Sequence, residues 1–144
     1  MSDNCVFCMI LDGRIPSIKI HEDDATLAFM DIHPVRPGHA LVIPKAHHAN
    51  LFEAPPEVVA TTARTAARIG RAIQHALAPP GMNLLQCNGE AAGQSVMHLH
   101  MHLIPRAMDD GQGMNWELVK GDPAEIEAVA GKIRAELARD HRDA

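Results

Sequence analysis

The clearest pattern in the chain is a strict alternation of histidines with apolar residues. Residues 98–104 read His-Leu-His-Met-His-Leu-Ile, so that three histidines occupy every second position. Side chains at every second position leave one face of a β-strand, whereas on a helix the middle histidine would point away from the other two. The pattern therefore predicts a strand over residues 98–106 with a row of imidazoles on one face.

Other segments have the apolar, β-branched character of strands. A polar turn at 21–24 joins the first two of them into a hairpin, and the Pro and Gly residues of 31–38 predict a loop before the third, which Pro44 ends. A loop of small residues at 89–93 separates the fourth from the histidine strand. These predicted strands are residues 18–20, 26–30, 39–43 and 82–88.

Three segments predict helices. A short helix follows Cys8, and a long one begins at the proline pair 55–56 and repeats apolar residues at helical spacing as far as Pro79. Asp-Pro-Ala-Glu at 122–125 is a helix start, with apolar residues on one face of the helix that follows. We therefore expect an α+β fold: an antiparallel sheet of about five strands with one long and one or two shorter flanking helices.

Composition narrows the class of protein. A chain of 144 residues with 47% hydrophobic and 22% charged residues fits one globular domain. The formal net charge of −5 and the absence of a basic block argue against nucleic-acid binding. No apolar run is long enough to span a bilayer and no secretory signal precedes the domain, so we expect a cytoplasmic protein that binds no membrane.

The row of imidazoles suits an extended anion better than a single ion. Alternate residues of a strand lie roughly 6.6 Å apart, which separates the outer histidines by about 13 Å, too far for one metal ion. A phosphate chain is the simpler ligand, although a solvated strand face or a partly buried row of histidines would give the same pattern. The pair Cys5-x-x-Cys8 is a second candidate site, as metal ligands or redox thiols.

The histidine motif resembles the signature of the histidine triad (HIT) family of nucleotide-binding hydrolases and transferases. Similar segments follow in the family's order over about residues 4–106, with a helical tail at about 107–144. The resemblance implies the HIT-like fold as a single domain over residues 1–144, and a homodimer. The segments that carry it are residues 5–8, 13–16, 22–24, 28–32, 37–39, 42–45, 93–96 and 98–104.

The resemblance also implies a mechanism. In the family the middle histidine, here His100, attacks the α-phosphorus, and water then hydrolyses the nucleotidyl-histidine, with no cofactor in the chemistry. His102 and His39 are expected to hydrogen-bond the phosphoryl oxygens, and Ser95 to serve the leaving group. Position 102 is His, where the family's uridylyl transferases have Gln, which favours hydrolysis.

A purine nucleotide such as AMP or GMP is the ligand that the resemblance implies. Asp31 is expected to take the ribose hydroxyls, and four apolar residues to close around the base, although core packing would place them equally well. The phosphate is expected to meet polar groups of the loop before the histidines. The base-binding residues are then Phe7, Ile10, Phe29 and Ile32, and the phosphate-binding residues Asn88, Gly93, Gln94 and Ser95, with His100 and His102. For Gln94 the resemblance leaves two roles open, a contact with the phosphate or with the partner of the intermediate.

By resemblance to family members with the same cysteine pair, Cys5, Cys8, His47 and His98 are expected to bind a structural zinc ion. His48 is the competing ligand next to His47, because spacing alone does not choose between them. Two reduced, buried thiols are the simpler alternative.

The predicted function is hydrolysis of purine nucleoside phosphoramidates or dinucleoside polyphosphates. Arg106 would favour the polyphosphate if it met a distal phosphate. A nucleotide-binding interaction protein with little turnover is the alternative from another class. A zinc-dependent hydrolase that uses the triad as metal ligands is a third.

Overall fold

The computed structural model describes residues 2–113 and 118–140. The backbone divides into two compact units, Met1–Gln112 and Gly113–Ala144, which are described separately. The single domain with a core at about 4–106 and a tail at about 107–144 stays a prediction, and residues 114–117 and 141–144 of that tail lie outside the described residues.

A five-stranded antiparallel sheet is the centre of the first unit, which confirms the predicted fold class. The order of strands across the sheet is β1-β2-β3-β5-β4, so the histidine strand β5 lies between β3 and β4. The central strands β2 and β3 are buried at nearly every position, so alternate residues supply apolar side chains to both faces of the sheet. The strands are β1 Lys19–Glu22, β2 Thr26–Met30, β3 Ala40–Pro44, β4 Gly81–Leu85 and β5 Met101–Arg106.

Two helices of this unit pack on the sheet. The short helix α1, Val6–Leu11, shares a buried cluster with Leu27, Phe29 and Leu41. The long helix α2, Pro56–Leu77, packs its buried residues against a cluster on strands β2, β3 and β5 that includes Ala28. Because residues 27, 28 and 29 alternate between the two clusters, the sheet lies between the two helices.

The strand boundaries differ from the predicted ones where main-chain groups bond outside the sheet. β5 begins at Met101 and not at residue 98, since Leu99 N–H donates to His48 O (2.7 Å) and His98 O accepts a side-chain hydrogen bond. His21 and Glu22, predicted as a turn, belong to β1. β4 ends at Leu85, and a 3₁₀ turn, Glu90–Ala92, lies in the predicted small-residue loop.

The second unit contains helix α3, Pro123–Asp140, at the predicted start. Asp122 caps it, because its Oδ1 accepts the N–H of Ala124 at 3.0 Å. The apolar residues predicted on one face (Ile126, Val129, Ile133 and Leu137) are each more than half exposed. None of the helices in the described residues is long and apolar enough to cross a membrane.

Candidate active site and metal cluster

β5 places His102 on the face of the sheet that packs against α1. His102 is the cross-strand partner of Leu41, which belongs to the α1-side cluster, and opposed residues of an antiparallel pair share a face. The ring centroid of His100 lies 4.9 Å from that of His102 and 5.2 Å from that of Phe7 on α1. The two imidazoles therefore stand side by side between the sheet and the first helix.

His100 has a defined tautomer. Its Nδ1 lies 2.7 Å from the main-chain oxygen of His98, and since a carbonyl only accepts, Nδ1 carries the proton. The lone pair of the neutral ring is then on Nε2. Burial, which leaves His100 only 4% exposed, lowers the pKa of this ring below its ordinary value and keeps it neutral near pH 7.

A hydrogen-bond relay fixes the protons of His39 and His102 in the same way. Val35 N–H donates to His39 Nδ1 (3.1 Å), so the proton of the neutral His39 ring is on Nε2. That atom is 2.9 Å from His102 Nδ1, which must accept. His102 is left with its proton on Nε2, a donor for a bound anion, and burial followed by the nearby His100 and His39 lowers its pKa to about 4.

Asp31 completes this group. Its Oδ1 accepts the N–H of His33 (2.8 Å), and its Oδ2 lies 3.5 Å from His39 Nε2. Ligand atoms of Asp31, His39 and His102 all lie within 4.8 Å of one another, close enough to hold a metal ion. However, a His39 ring bound to metal through Nε2 would carry its proton on Nδ1, where Val35 N–H already points. The arrangement fits a relay of protons and disfavours a metal.

Cys5, Cys8, His47 and His98 form a second group, with ligand atoms within 4.8 Å of one another. His98 Nδ1 lies 3.5 Å from Cys5 Sγ and 3.6 Å from Cys8 Sγ, and His47 Nδ1 lies 3.3 Å from Cys8 Sγ and 3.2 Å from His98 Nδ1. A tetrahedral zinc ion separates its sulfur and nitrogen ligands by about 3.3–3.8 Å. The four residues therefore fit such an ion.

The hydrogen bond on the far side of His98 supports a metal here. His98 Nε2 donates to Pro44 O at 2.8 Å, which leaves the Nδ1 lone pair pointing at the sulfur atoms. The structure brings His47 into the group; His48, the competing ligand, is outside it and uses its main-chain oxygen to hold Leu99. The cluster could bind a metal ion through His98 Nδ1, whereas Nδ1 of His39 already accepts the Val35 N–H and has no lone pair left for a metal.

A cavity of about 390 Å³ opens beside the two catalytic candidates. It is lined by eight of the residues that the sequence predicts for the site. None of its lining residues, all of which belong to the described part of the chain, is Lys or Arg. The predicted residues in its wall are Phe7, Ile10, Phe29, Asp31, Ile32, Ser95, His100 and His102.

Four predicted site residues are not in that wall. His39 is buried beneath His102, and Gly93 precedes the lining residue Ser95. Asn88 accepts Leu51 N–H (2.7 Å) and exchanges two hydrogen bonds with Gln86. Gln94 is 4% exposed and bonded on both sides of its amide. Their contact with a nucleotide stays a prediction.

Eight lining residues were missed by the sequence analysis. Leu41 could have been predicted if the register of β3 against β5 were known, because it lies opposite His102. Residues 15–17 were not predicted as site residues, although residues 15 and 16 belong to a segment that carries the resemblance, and they reach the wall through the turn after α1. The missed residues are Val6, Ile15, Pro16, Ser17, Met30, His33, Leu41 and Val96.

Comparisons with known proteins identify the family of the chain. The model of the HIT domain family matches residues 12–109. Protein hit of Bacillus subtilis is 44% identical over 95% of this chain and 97% of its own length. Adenosine 5′-monophosphoramidase hnt1 of Schizosaccharomyces pombe is 38% identical over 93% and 98%. Adenylylsulfatase HINT3 of Arabidopsis thaliana is 44% identical over 76% of this chain and 56% of its own length.

Solved structures share the fold. A HIT family protein from Bacillus anthracis superposes with a TM-score of 0.87, at 41% identity over 94% of this chain and 99% of that one. A zinc-bound histidine triad family protein from Mycobacterium smegmatis gives a TM-score of 0.73, at 41% identity over 81% and 84%. With a matching family model over most of its length, closely similar relatives and a shared fold, the chain belongs to the HIT domain family.

Proposed function

We propose that the chain is a hydrolase that cleaves a purine nucleoside monophosphate from its leaving group through a nucleotidyl-histidine on His100. The observation that supports this most directly is the hydrogen bond from His100 Nδ1 to His98 O, at 2.7 Å. It leaves a lone pair on Nε2 of a neutral ring in the wall of the cavity. A neutral, oriented imidazole is a competent nucleophile near pH 7.

The reaction has two displacements at phosphorus. His100 Nε2 attacks the α-phosphorus, the bond from phosphorus to the leaving nitrogen breaks, and that nitrogen takes a proton from Ser95 Oγ. Water then attacks the same phosphorus, the bond to Nε2 breaks, and the water proton passes to Ser95 Oγ, which restores the serine hydroxyl. His102 Nε2–H, oriented by His39, donates to a phosphoryl oxygen as its negative charge grows.

The cavity has the size and lining of a nucleoside site. Its volume lies within the range of about 300–1,000 Å³ that is usual for small-molecule sites. The Asp31 carboxylate is an acceptor for the ribose hydroxyls. Phe7, Ile10 and Phe29 are buried apolar walls for the base, and Ile32, which is 74% exposed, would be covered by it.

A phosphoramidate fits this cavity better than a dinucleoside polyphosphate. A polyphosphate carries several negative charges, whereas the lining offers the neutral rings of His100 and His102 and the carboxylate of Asp31, and no Lys or Arg among the residues that the structure describes. Arg106 is engaged elsewhere, because its guanidinium donates to Asp110 (2.7 and 2.9 Å), to Asn83 Oδ1 (2.6 Å) and to Gln112 O. One relative is named an adenosine 5′-monophosphoramidase, which supports a phosphoramidate, and another is named an adenylylsulfatase.

Zinc is the metal that the second cluster suits best, with Cys5, Cys8, His47 and His98 as its ligands. Bound there, it would supply structural anchorage and take no part in the displacement. The two cysteines flank Phe7, so an anchored α1 would hold the wall of the base site.

A homodimer is the assembly that the family resemblance implies. β4 is an edge strand of the sheet, with Leu84 58% exposed. It borders a cavity of about 420 Å³ that is also lined by Ala63, Ala67 and Gly70 of α2. A second copy would cover this apolar, small-residue surface, and light scattering of the purified protein measures the stoichiometry.

The test is hydrolysis of adenosine 5′-monophosphoramidate beside diadenosine tetraphosphate, with rapid quenching and mass spectrometry to locate a nucleotidyl group. We expect turnover of the phosphoramidate, slower turnover of the polyphosphate and an adduct on His100. The His100→Gln variant should bind AMP without hydrolysis, whereas the control His75→Gln, at an exposed histidine of α2, should match wild type.

If the wild-type protein binds AMP but hydrolyses neither compound, the proposal of a hydrolase is refuted and the alternative of a nucleotide-binding interaction protein is supported. An adduct on a residue other than His100 would refute the mechanism.

A further inference from the structure

Gln94 has a buried side-chain amide that is saturated with hydrogen bonds. The residue is 4% exposed. Its Nε2 donates to Ala49 O at 2.6 Å and to Val96 O at 3.0 Å. Its Oε1 accepts the N–H of Gly89 at 2.8 Å and the Asn50 amide at 3.4 Å. A primary amide has two donor hydrogens and two acceptor lone pairs, so all four positions are used within the protein.

The four partners belong to three different segments around the proposed active site. Ala49 and Asn50 follow His47 of the metal cluster by two and three residues, and Gly89 opens the loop that leads to Ser95. Val96 lies between Ser95 and His98. One side chain therefore fastens the loop that carries Ser95 to the connection that carries His47.

We propose that Gln94 is a positioning residue of the hydrolase: it aligns Ser95 and the His98–His100 segment and makes no contact with the nucleotide. The proposal rests on the proposed function for its catalytic consequence. It departs from the expectation that Gln94 binds phosphate, because a phosphate contact would require the amide to break one of its four hydrogen bonds.

A glutamate at this position would have the same shape and the wrong polarity. A carboxylate accepts hydrogen bonds and donates none, so it would face the oxygens of Ala49 and Val96 without a hydrogen between them. Two buried carbonyl oxygens would lose their donor and a buried negative charge would be added. Gln94→Glu should therefore disturb the loop more than Gln94→Ala does.

The two roles predict different kinetics. Loss of a phosphate ligand weakens the ground-state complex, raising KM and the Kd for AMP together. Loss of alignment acts on the displacement itself, and a displacement of about 1 Å can cost on the order of 100-fold in rate. We expect Gln94→Ala to lower kcat by about 10- to 100-fold and to change KM and the Kd for AMP by less than about threefold.

The experiment compares wild type with Gln94→Ala, Gln94→Glu and Gln94→Met, the last of which keeps the side-chain volume without the amide. Gln74→Ala, at an exposed amide of α2, is the matched control and should behave as wild type. Measurements are kcat and KM for adenosine 5′-monophosphoramidate, the Kd for AMP and hydrogen exchange at the Gly89 amide. In the folded Gln94→Ala and Gln94→Met variants we expect faster exchange at Gly89 together with the loss in kcat, whereas Gln94→Glu keeps an acceptor for the Gly89 N–H and should lose kcat without that faster exchange.

An increase in the Kd for AMP that accounts for the whole loss in kcat/KM, with exchange at Gly89 unchanged, would overturn the proposal and make Gln94 a ligand. Unchanged kcat in the folded Met variant would overturn it as well. Hydrogen exchange and AMP affinity need no turnover, so a wild-type protein without hydrolase activity would refute the proposed function while these two measurements still decide what Gln94 holds.

Discussion

His39 offers the sharpest test of how the protons of the active site are arranged. It is 2% exposed, and its Nε2–H is the donor to His102 Nδ1 at 2.9 Å. Replacing it by Leu removes this donor and leaves His102 Nδ1 as a buried acceptor without its partner. The His102 ring can then place its proton on either nitrogen, and with the proton on Nδ1 the ring has no hydrogen to give to a phosphoryl oxygen.

The size of the effect follows from that lost donor. Leaving a buried polar group unsatisfied costs about 1–3 kcal/mol, and a factor of ten in rate is about 1.4 kcal/mol. If the cost falls on the transition state, His39→Leu should lower kcat for adenosine 5′-monophosphoramidate roughly 5- to 150-fold. Gln carries an N–H that can replace His39 Nε2–H, so His39→Gln should retain more activity than His39→Leu.

The assay is steady-state kinetics on both variants, with His75→Leu at an exposed position as control. Nitrogen chemical shifts of the wild-type imidazoles report the tautomers directly: protons on Nε2 of His39 and His102 and on Nδ1 of His100. A rise in KM at constant kcat in His39→Leu, or equal losses in the Leu and Gln variants, would refute the relay.

Three further predictions follow from the structure. Burial, His100 and His39 lower the pKa of His102 from 6.5 to about 4. The neutral ring therefore contributes its full stability above about pH 6.5, and this contribution is lost as the pH falls toward 4. The fall in Tm over this pH range should be smaller in His102→Gln than in wild type. Gly38 has a φ of +90°, and in Gly38→Ala the added Cβ would lie 2.6 Å from Leu77 Cδ1 and 3.0 Å from Pro105 Cγ. We expect this variant to lose about 2 kcal/mol in the free energy of unfolding, measured by denaturant titration. An unchanged midpoint of unfolding would contradict the packing at Gly38. Removing zinc from zinc-loaded protein with a chelator should lower Tm by about 2–4 °C per kcal/mol of binding energy lost, and added zinc should restore the Tm. If the cysteine–histidine cluster is the zinc site, the Tm of Cys8→Ser should change neither with the chelator nor with zinc.

Most of the sheet could be predicted because its strands have period-two patterns or proline boundaries. Thr26–Met30 was predicted with the boundaries that the structure shows. Tertiary contacts decided the rest. Thr62 and Thr65 of α2 are buried although polar, because Thr65 Oγ1 lies 2.9 Å from Thr26 Oγ1 on the sheet and Thr62 Oγ1 donates to Val58 O. An apolar helical stripe read from the sequence alone passes over such residues.

The candidate site divides in the same way. The motifs named the residues, and the structure brings the cysteine pair together with His47 and His98, a choice between His47 and His48 that sequence spacing left open. The proton positions on the rings of His39, His98 and His100 depend on the main-chain groups Val35 N–H, Pro44 O and His98 O. A sequence motif does not show which main-chain groups a side chain will meet. The hydrogen bonds of Gln94 could not be predicted for the same reason, since its partners are separated from it by as many as 45 residues; the phosphate contact that the family resemblance implies for it stays a prediction.

His98 connects the candidate metal cluster with the proposed reaction. Nδ1 of its ring lies beside the sulfur atoms of Cys5 and Cys8, which precede it by 93 and 90 residues. Its main-chain oxygen accepts the hydrogen bond from His100 Nδ1–H. Any movement of the His98 backbone therefore shifts the group that orients the nucleophile. Phe7, between the two cysteines, contacts both the His98 and the His100 rings, at 5.9 and 5.2 Å. A metal remote from the reacting phosphorus would thus act on the rate through geometry alone, and its loss should appear in kcat before it appears in nucleotide affinity.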